Sequence, residues 1–133
     1  AVQDLYNLVD RTTYEAEMAA TVAELGISNI PFYGIARGFL TGKYRPGVTE
    51  VDSMRPAALV YTTDKNYAVL SAMDEIAQAH NAPLGAIALG WLRAQPTVSA
   101  PIASARTVHQ LEEIIQVVEL THDEVSTLNA LSA

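Results

Sequence analysis

Cysteine is absent from all 133 residues, which excludes a disulfide framework, a thiolate nucleophile and any cysteine-ligated zinc or iron–sulfur site. Positive charge is scarce as well: eight Lys and Arg stand against fifteen Asp and Glu, a formal net charge of −7. That balance opposes general attraction to nucleic acid or anionic lipid and confines any anion site to a small local pocket. Long apolar runs are missing too. Asn, Gly, Thr or Arg breaks each stretch well short of the ~18 residues a membrane span needs, and the first residues carry no basic-then-apolar leader. The expectation is a cytoplasmic chain with neither nucleic acid nor membrane as partner. What remains is 50% apolar and 17% charged, enough for one globular domain with a core and too short for two.

Along the chain, three short β-compatible segments alternate with helical patterns. Residues 2–8 (VQDLYNL) read as a strand, and Thr12 three residues before Glu15 offers a capping box for a helix carrying Met18, Val22 and Leu25 inward and stopped by Gly26. Residues 27–35 (ISNIPFYGI) read as a second strand, with Pro31 at its start or at a bulge. Residues 36–63 follow with Gly38, Gly42, Gly47, Pro46, Pro56 and four cations, Arg37, Lys43, Arg45 and Arg55. A connection that long favours a binding loop. Asp64 can cap a helix with Tyr67, Leu70, Met73 and Ala77 inward, and Pro83 opens another with Leu84, Ile87, Ala88, Trp91 and Leu92 inward. Residues 98–104 (VSAPIAS) read as a third strand. Thr107 with Gln110 then caps a helix whose apolar face is Leu111, Ile114, Ile115 and Val118, and Thr121 with Glu124 caps a last one. Helices between apolar strands imply parallel pairing with right-handed crossovers, yet three strands look like part of a larger sheet.

The segment PFYGIARGFLTGKYR (31–45) closely resembles the seventh strand and following loop of aldo-keto reductases. VQDLYNLVDR (2–11) resembles that family's sixth strand, APIASARTVHQLEE (100–113) its eighth strand and next helix, and QAHNAPLGAIALGWLRAQP (78–96) the helices before the last strand. The resemblance implies an α/β fold: the C-terminal portion of a TIM-type (β/α)₈ barrel, strands six to eight, with parallel strands and outer helices. A complete barrel takes at least about 200 residues, so residues 1–133 are expected to be a single partial domain carrying the NADP-binding part. The implied activity is NADPH-dependent reduction of an aldehyde or ketone to an alcohol, a small carbonyl being the substrate.

The same resemblance implies a set of cofactor contacts. Gln3 would bond the nicotinamide carboxamide, the alternative, favoured when the resemblance is set aside, being a polar strand residue paired to backbone. Phe32 stands where the family has Tyr or Trp stacking on the nicotinamide, or it is a core phenylalanine. Tyr33, Gly34, Ile35 and Ala36 would follow the pyrophosphate, and Lys43 and Arg55 would clamp it, Arg55 by loop spacing alone. Ser104 and Arg106 would meet the 2′-phosphate and ribose at a helix N-terminus. Gln110 and Glu113 would reach the 2′-phosphate or ribose and the adenine amine; Gln110 also suits the capping box. Ile114 replaces the family's usual asparagine.

The family's catalytic Asp, Tyr, Lys and His belong to earlier strands and have no counterpart here, so no catalytic residue and no metal site is assigned, and the chain alone is expected to be inactive while its parent is an NADP-dependent reductase. The three histidines, His80, His109 and His122, fall at helix ends or on helical surfaces. The alternative is a non-catalytic half-barrel that binds nucleotide or a protein partner. Open sheet edges also raise self-association as an expectation, in the extreme closing two copies around a new site.

Overall fold

The computed structural model describes residues 1–51 and 55–133. Six α-helices run through it: α1 Thr12–Glu17, α2 Ala19–Glu24, α3 Asp64–His80, α4 Leu84–Arg93, α5 Val108–Ile114 and α6 His122–Ser132. Two 3₁₀ segments, Ala36–Thr41 and Pro56–Tyr61, interrupt the long connection.

α4 is the centre. Its residues from Gly85 to Leu92 are all buried, as a helix apolar on every side must be. α3 lays Val69, Leu70, Met73, Ile76 and Ala77 into the same core, starting at Thr63, whose side chain accepts from the Asn66 N–H, and ending at Asn81 in the left-handed region (φ 48°). Trp91 is wholly buried; its Nε1 donates to Asn129 Oδ1 of α6 at 2.9 Å, and its ring lies 5.4 Å from that of Tyr6 and 5.3 Å from the Arg11 guanidinium carbon. Arg11 in turn donates to the Asn129 carbonyl and to Ser132 Oγ, and pairs with Glu15 at 2.8 Å. One knot thus joins the N-terminal segment, α1, α4 and α6.

The expected barrel portion is not what forms. Among the described residues there is no strand: the three segments touch only through isolated parallel bridges, Val2 with Asn29, Leu5 with Phe32 and Asn29 with Val98. Side chains and prolines account for the interruption. The Asp4 N–H donates to Asn29 Oδ1 (3.1 Å) and the Leu5 N–H to Asp4 Oδ1 (2.8 Å), so two donors of a would-be ladder are taken by side-chain oxygens. Pro31 and Pro101 supply no N–H at all. The identification of residues 2–8, 27–35 and 98–104 as barrel strands six to eight is therefore corrected, and the architecture is essentially helical. Self-association through exposed sheet edges is corrected with it, because there is no sheet to have edges.

Smaller differences have local causes. Thr12 is the first residue of α1 rather than its cap, Arg11 taking that position without a side-chain capping bond, and the helix breaks at Met18. α5 buries none of its own residues: of the expected inward face Leu111 and Ile115 are exposed, while Ile114 packs half-buried against the core and Val118, beyond the helix, is buried. At α6 the capping box of Thr121 and Glu124 is complete. No helix among the described residues is long and apolar enough to cross a membrane.

The packing around α4 and α6 is open to two tests. A Cβ at Gly90 would stand 2.8 Å from the Val118 carbonyl oxygen. Gly90→Ala should lower stability by about 1–3 kcal/mol despite the roughly 1 kcal/mol that alanine gains in a helix; a urea midpoint that stays or rises would refute the close approach. Glu124 receives His80 Nε2 at 2.9 Å and joins the end of α3 to the start of α6. Burial alone would raise its carboxyl, but bonds from the Thr121 N–H and from His80 outweigh it and hold the group below the ordinary carboxylate range. Because the folded value is depressed, its stabilisation is present above the unfolded value and lost as pH falls through the folded one. Acid titration of the Glu124→Gln variant should show a shallower loss of stability over that range than the parent chain.

Candidate functional site

The long connection is nailed down from within. Ala36, Phe39, Leu40 and Tyr44 are buried, and the Asn7 amide donates to the Tyr33 carbonyl at 3.1 Å. Between those anchors the backbone turns sharply: Tyr33, Ala36 and Arg37 all have positive φ (56°, 47° and 58°), followed by Gly38 at 97°. Three non-glycine residues in that region within five positions store strain of about 1–3 kcal/mol each, which a site rather than a plain turn retains. At Gly38 a Cβ would meet Lys43 Cε at 3.3 Å, so the missing side chain is what lets Lys43 lie back across the turn.

Two adjoining clefts open on this turn. The larger, about 310 Å³, is lined by Lys43, Arg55, Ser104, Arg106, Gln110 and Glu113, with Ile35, Gly38, Thr41, His109 and Ile114 completing its walls. The smaller, about 250 Å³, is lined by Phe32, Tyr33, Gly34, Ile35, Arg37, Arg55, Ile102, Ala103 and Ser104. Their charges are distinctive in an acidic chain. Arg11 and Arg45 are paired, Arg45 doubly with Asp74 at 2.7 and 2.8 Å, whereas the guanidinium groups of Arg37, Arg55 and Arg106 meet no carboxylate and no other hydrogen-bond acceptor among the described residues. Arg37 rests instead on the Tyr33 ring, 4.5 Å from its centroid. Behind it Tyr61 donates to Asp10 at 3.2 Å, and burial, with Asp10 beside it, pushes the phenol up.

Ten of the twelve residues named from sequence line these clefts: Lys43, Arg106, Gln110 and Glu113 the larger, Phe32, Tyr33 and Gly34 the smaller, and Ile35, Arg55 and Ser104 both. Gln3, exposed on the first segment, and Ala36, buried beneath the turn, line neither. Gln110 fills the local capping role, since its Oε1 accepts from the Arg106 N–H at 2.9 Å and its own N–H donates to Thr107 Oγ1. α5 has seven residues, too few for a helix-end field to be the source of attraction. Sequence reasoning assigned no role to Arg37 or His109. Arg37 was one cation among four in the loop; His109, 3.6 Å from Glu113, reads as a surface histidine until the fold brings its helix to the cleft.

The family model for aldo/keto reductases matches residues 1–133. The chain belongs to the aldo/keto reductase family. It is 31% identical over 121 residues to an L-glyceraldehyde 3-phosphate reductase of Escherichia coli O157:H7, covering 86% of this chain and 35% of that protein. It is 33% identical over 140 residues to an aldo-keto reductase of Fusarium vanettenii, covering all of this chain and 36% of the relative. Its backbone is similar to part of a thermostable aldo-keto reductase crystallised with the inhibitor epalrestat, with a TM-score of 0.68 and 22% identity over 97% of this chain and 38% of that one. The chain thus spans little more than a third of the length of these relatives.

Family membership does not carry the expected activity into this chain. Reduction of a carbonyl by NADPH in the expected manner needs cofactor and substrate held at the strand ends of a barrel, and the described residues form no strand. NADP as cofactor, a small carbonyl as substrate and reductase character, even as the cofactor-side piece of an enzyme, are corrected on that ground, as is the nucleotide-binding half-barrel.

Gly38→Ala tests how the site is built. Alanine at φ 97° with its methyl 3.3 Å from Lys43 should cost about 1–3 kcal/mol and displace the Lys43 side chain. Urea denaturation and the Lys43 side-chain NMR signals measure the two effects, and an unchanged pair would mean the turn is not strained.

Proposed function

We propose that residues 1–133 act as one unit that binds the phosphate group of a small organic phosphate in the larger cleft. The observation that carries this is the lack, among the described residues, of any acidic partner for Arg55 and Arg106 in a chain of net charge −7. Where fifteen acidic residues compete for eight cations, two arginines left without one are available to an external anion. Guanidinium groups bind phosphate oxygens through paired N–H donors, Lys43 adds a compact charge, and the Ser104 hydroxyl offers a neutral donor, the Thr41 hydroxyl being spent on the Gly38 carbonyl. A relative whose name includes a phosphorylated triose fits a phosphate-bearing ligand. A cytoplasmic setting fits too, since cysteine is absent.

Calorimetric titration of the full 133-residue chain with inorganic pyrophosphate tests the reading. Binding should weaken as salt is added, and Arg106→Gln and Arg55→Gln should each weaken it about tenfold, the worth of one charge-assisted bond. Affinity unchanged by Arg106→Gln, or no binding at millimolar pyrophosphate, would overturn it.

A further inference from the structure

We infer that the outer face of α5 is a docking surface for a basic amphipathic helix of a partner protein, which lays aliphatic side chains on Val108, Leu111 and Ile115 and a lysine or arginine beside Glu112. The inference stands apart from the phosphate reading, since none of these four residues lines either cleft.

Spacing makes the surface. Residues 108, 111 and 115 are three and four positions apart, so their side chains share one stripe of the helix, Ile115 keeping helical backbone angles at its C-cap. Such a stripe ordinarily faces a core. Here the core takes only Ile114, half-buried, and the larger cleft takes the side opposite the stripe, with His109, Gln110 and Glu113. The stripe is left in water: Val108 is 73%, Leu111 46% and Ile115 62% exposed. Single surface aliphatics are ordinary, but three in helical register form one contiguous apolar patch, the mark of an interaction site. A helix laid along it would be read through anchors at i, i+3 and i+7, the usual mode for amphipathic helices.

Charge decides the occupant. Glu112, four residues beyond Val108 and three before Ile115, borders the stripe and is exposed. On the same side Gln116 is neutral, its amide donating back to the Glu112 carbonyl at 3.3 Å, and Glu119 adds an exposed carboxylate past the helix. α5 itself contains no Lys or Arg; the nearby Arg106 and His109 line the larger cleft instead. An aliphatic stripe with an acidic border, in a chain of net charge −7, complements a basic helix and repels an acidic one. A second copy of this chain fits poorly: two α5 helices packed about a two-fold axis at Leu111 would set Glu112 beside Glu112.

The test is NMR titration of the full chain with a synthetic Leu/Lys peptide of about fifteen residues, long enough to form a helix, its leucines spaced at i, i+3, i+4 and i+7. Two controls accompany it: the same peptide with Glu for every Lys, and a scrambled peptide of unchanged composition. The ordered Leu/Lys peptide should shift the methyl signals of Val108, Leu111 and Ile115 saturably and bind about tenfold more tightly than either control. Leu111→Ser, at an exposed position outside the core, should weaken that binding about tenfold, and Glu112→Lys should remove the preference for the Lys peptide over the Glu peptide. Equal binding of the scrambled peptide would overturn the inference, as it would mean general attraction to an acidic chain. So would shifts confined to other residues, an affinity unchanged by Leu111→Ser, or concentration-dependent sedimentation of the chain alone with the same methyl shifts, which would make a second copy the occupant. If a variant does not fold, the comparison of ordered with scrambled peptide on the unaltered chain decides the matter.

Discussion

A ten-residue helix with no polar face dictates the rest of the molecule. α4, Leu84–Arg93, must be covered on every side to escape water, and each covering element is placed by what it can offer. α3 supplies an apolar stripe. α6 supplies Asn129 for a polar atom in the middle of the core, Trp91 Nε1, since a buried indole N–H without an acceptor would be destabilising. The N-terminal segment supplies the Tyr6 ring, whose hydroxyl donates to Glu15 at 2.8 Å; burial, reinforced by that carboxylate, drives the phenol far above its ordinary range, so it stays a donor. The 118–120 backbone approaches so closely at Gly90 that no side chain fits between. Residues 36–44, buried through Phe39 and Leu40, complete the cover, and in doing so bring the turn of positive φ values to the surface beside residues 102–106.

Legibility from sequence tracked how local each determinant is. The helices α3, α4 and α6 were readable because their signals lie within one or two turns: apolar spacing at Leu70, Met73 and Ala77, the opening Pro83, and the Thr121–Glu124 box. The strands were misread because alternation and β-branched residues indicate only that a segment suits a sheet. Whether a ladder forms depended on Asn29 and Asp4, whose side chains take N–H groups on a segment far away in sequence or beside them. Nothing in residues 2–8 alone announces that. The inward face expected for α5 formed in part: Ile114 and Val118 reach the core, whereas Leu111 and Ile115 have apolar spacing but stay exposed.

For the site, resemblance named residues that the fold gathers around two clefts, while pairing escaped the sequence altogether. Four cations in one loop look equivalent on paper. Asp74, twenty-nine positions beyond Arg45, neutralises that one, while Arg37 and Arg55 meet no carboxylate among the described residues. A linear reading also gives no reason to separate Arg37 from its neighbours, since its distinction is a backbone angle and a ring beneath it.

The energetic costs converge on one place. Positive φ at Tyr33, Ala36 and Arg37, a buried Nε without an acceptor, and arginines held apart from an abundant supply of carboxylates all occur within or beside the same two clefts. Each feature opposes folding, the strained residues by about 1–3 kcal/mol apiece. The apolar core beneath, anchored at Ala36, Phe39, Leu40 and Tyr44, is what allows them to persist. Strain and unpaired charge kept together on one face are what support the anionic-ligand reading proposed above.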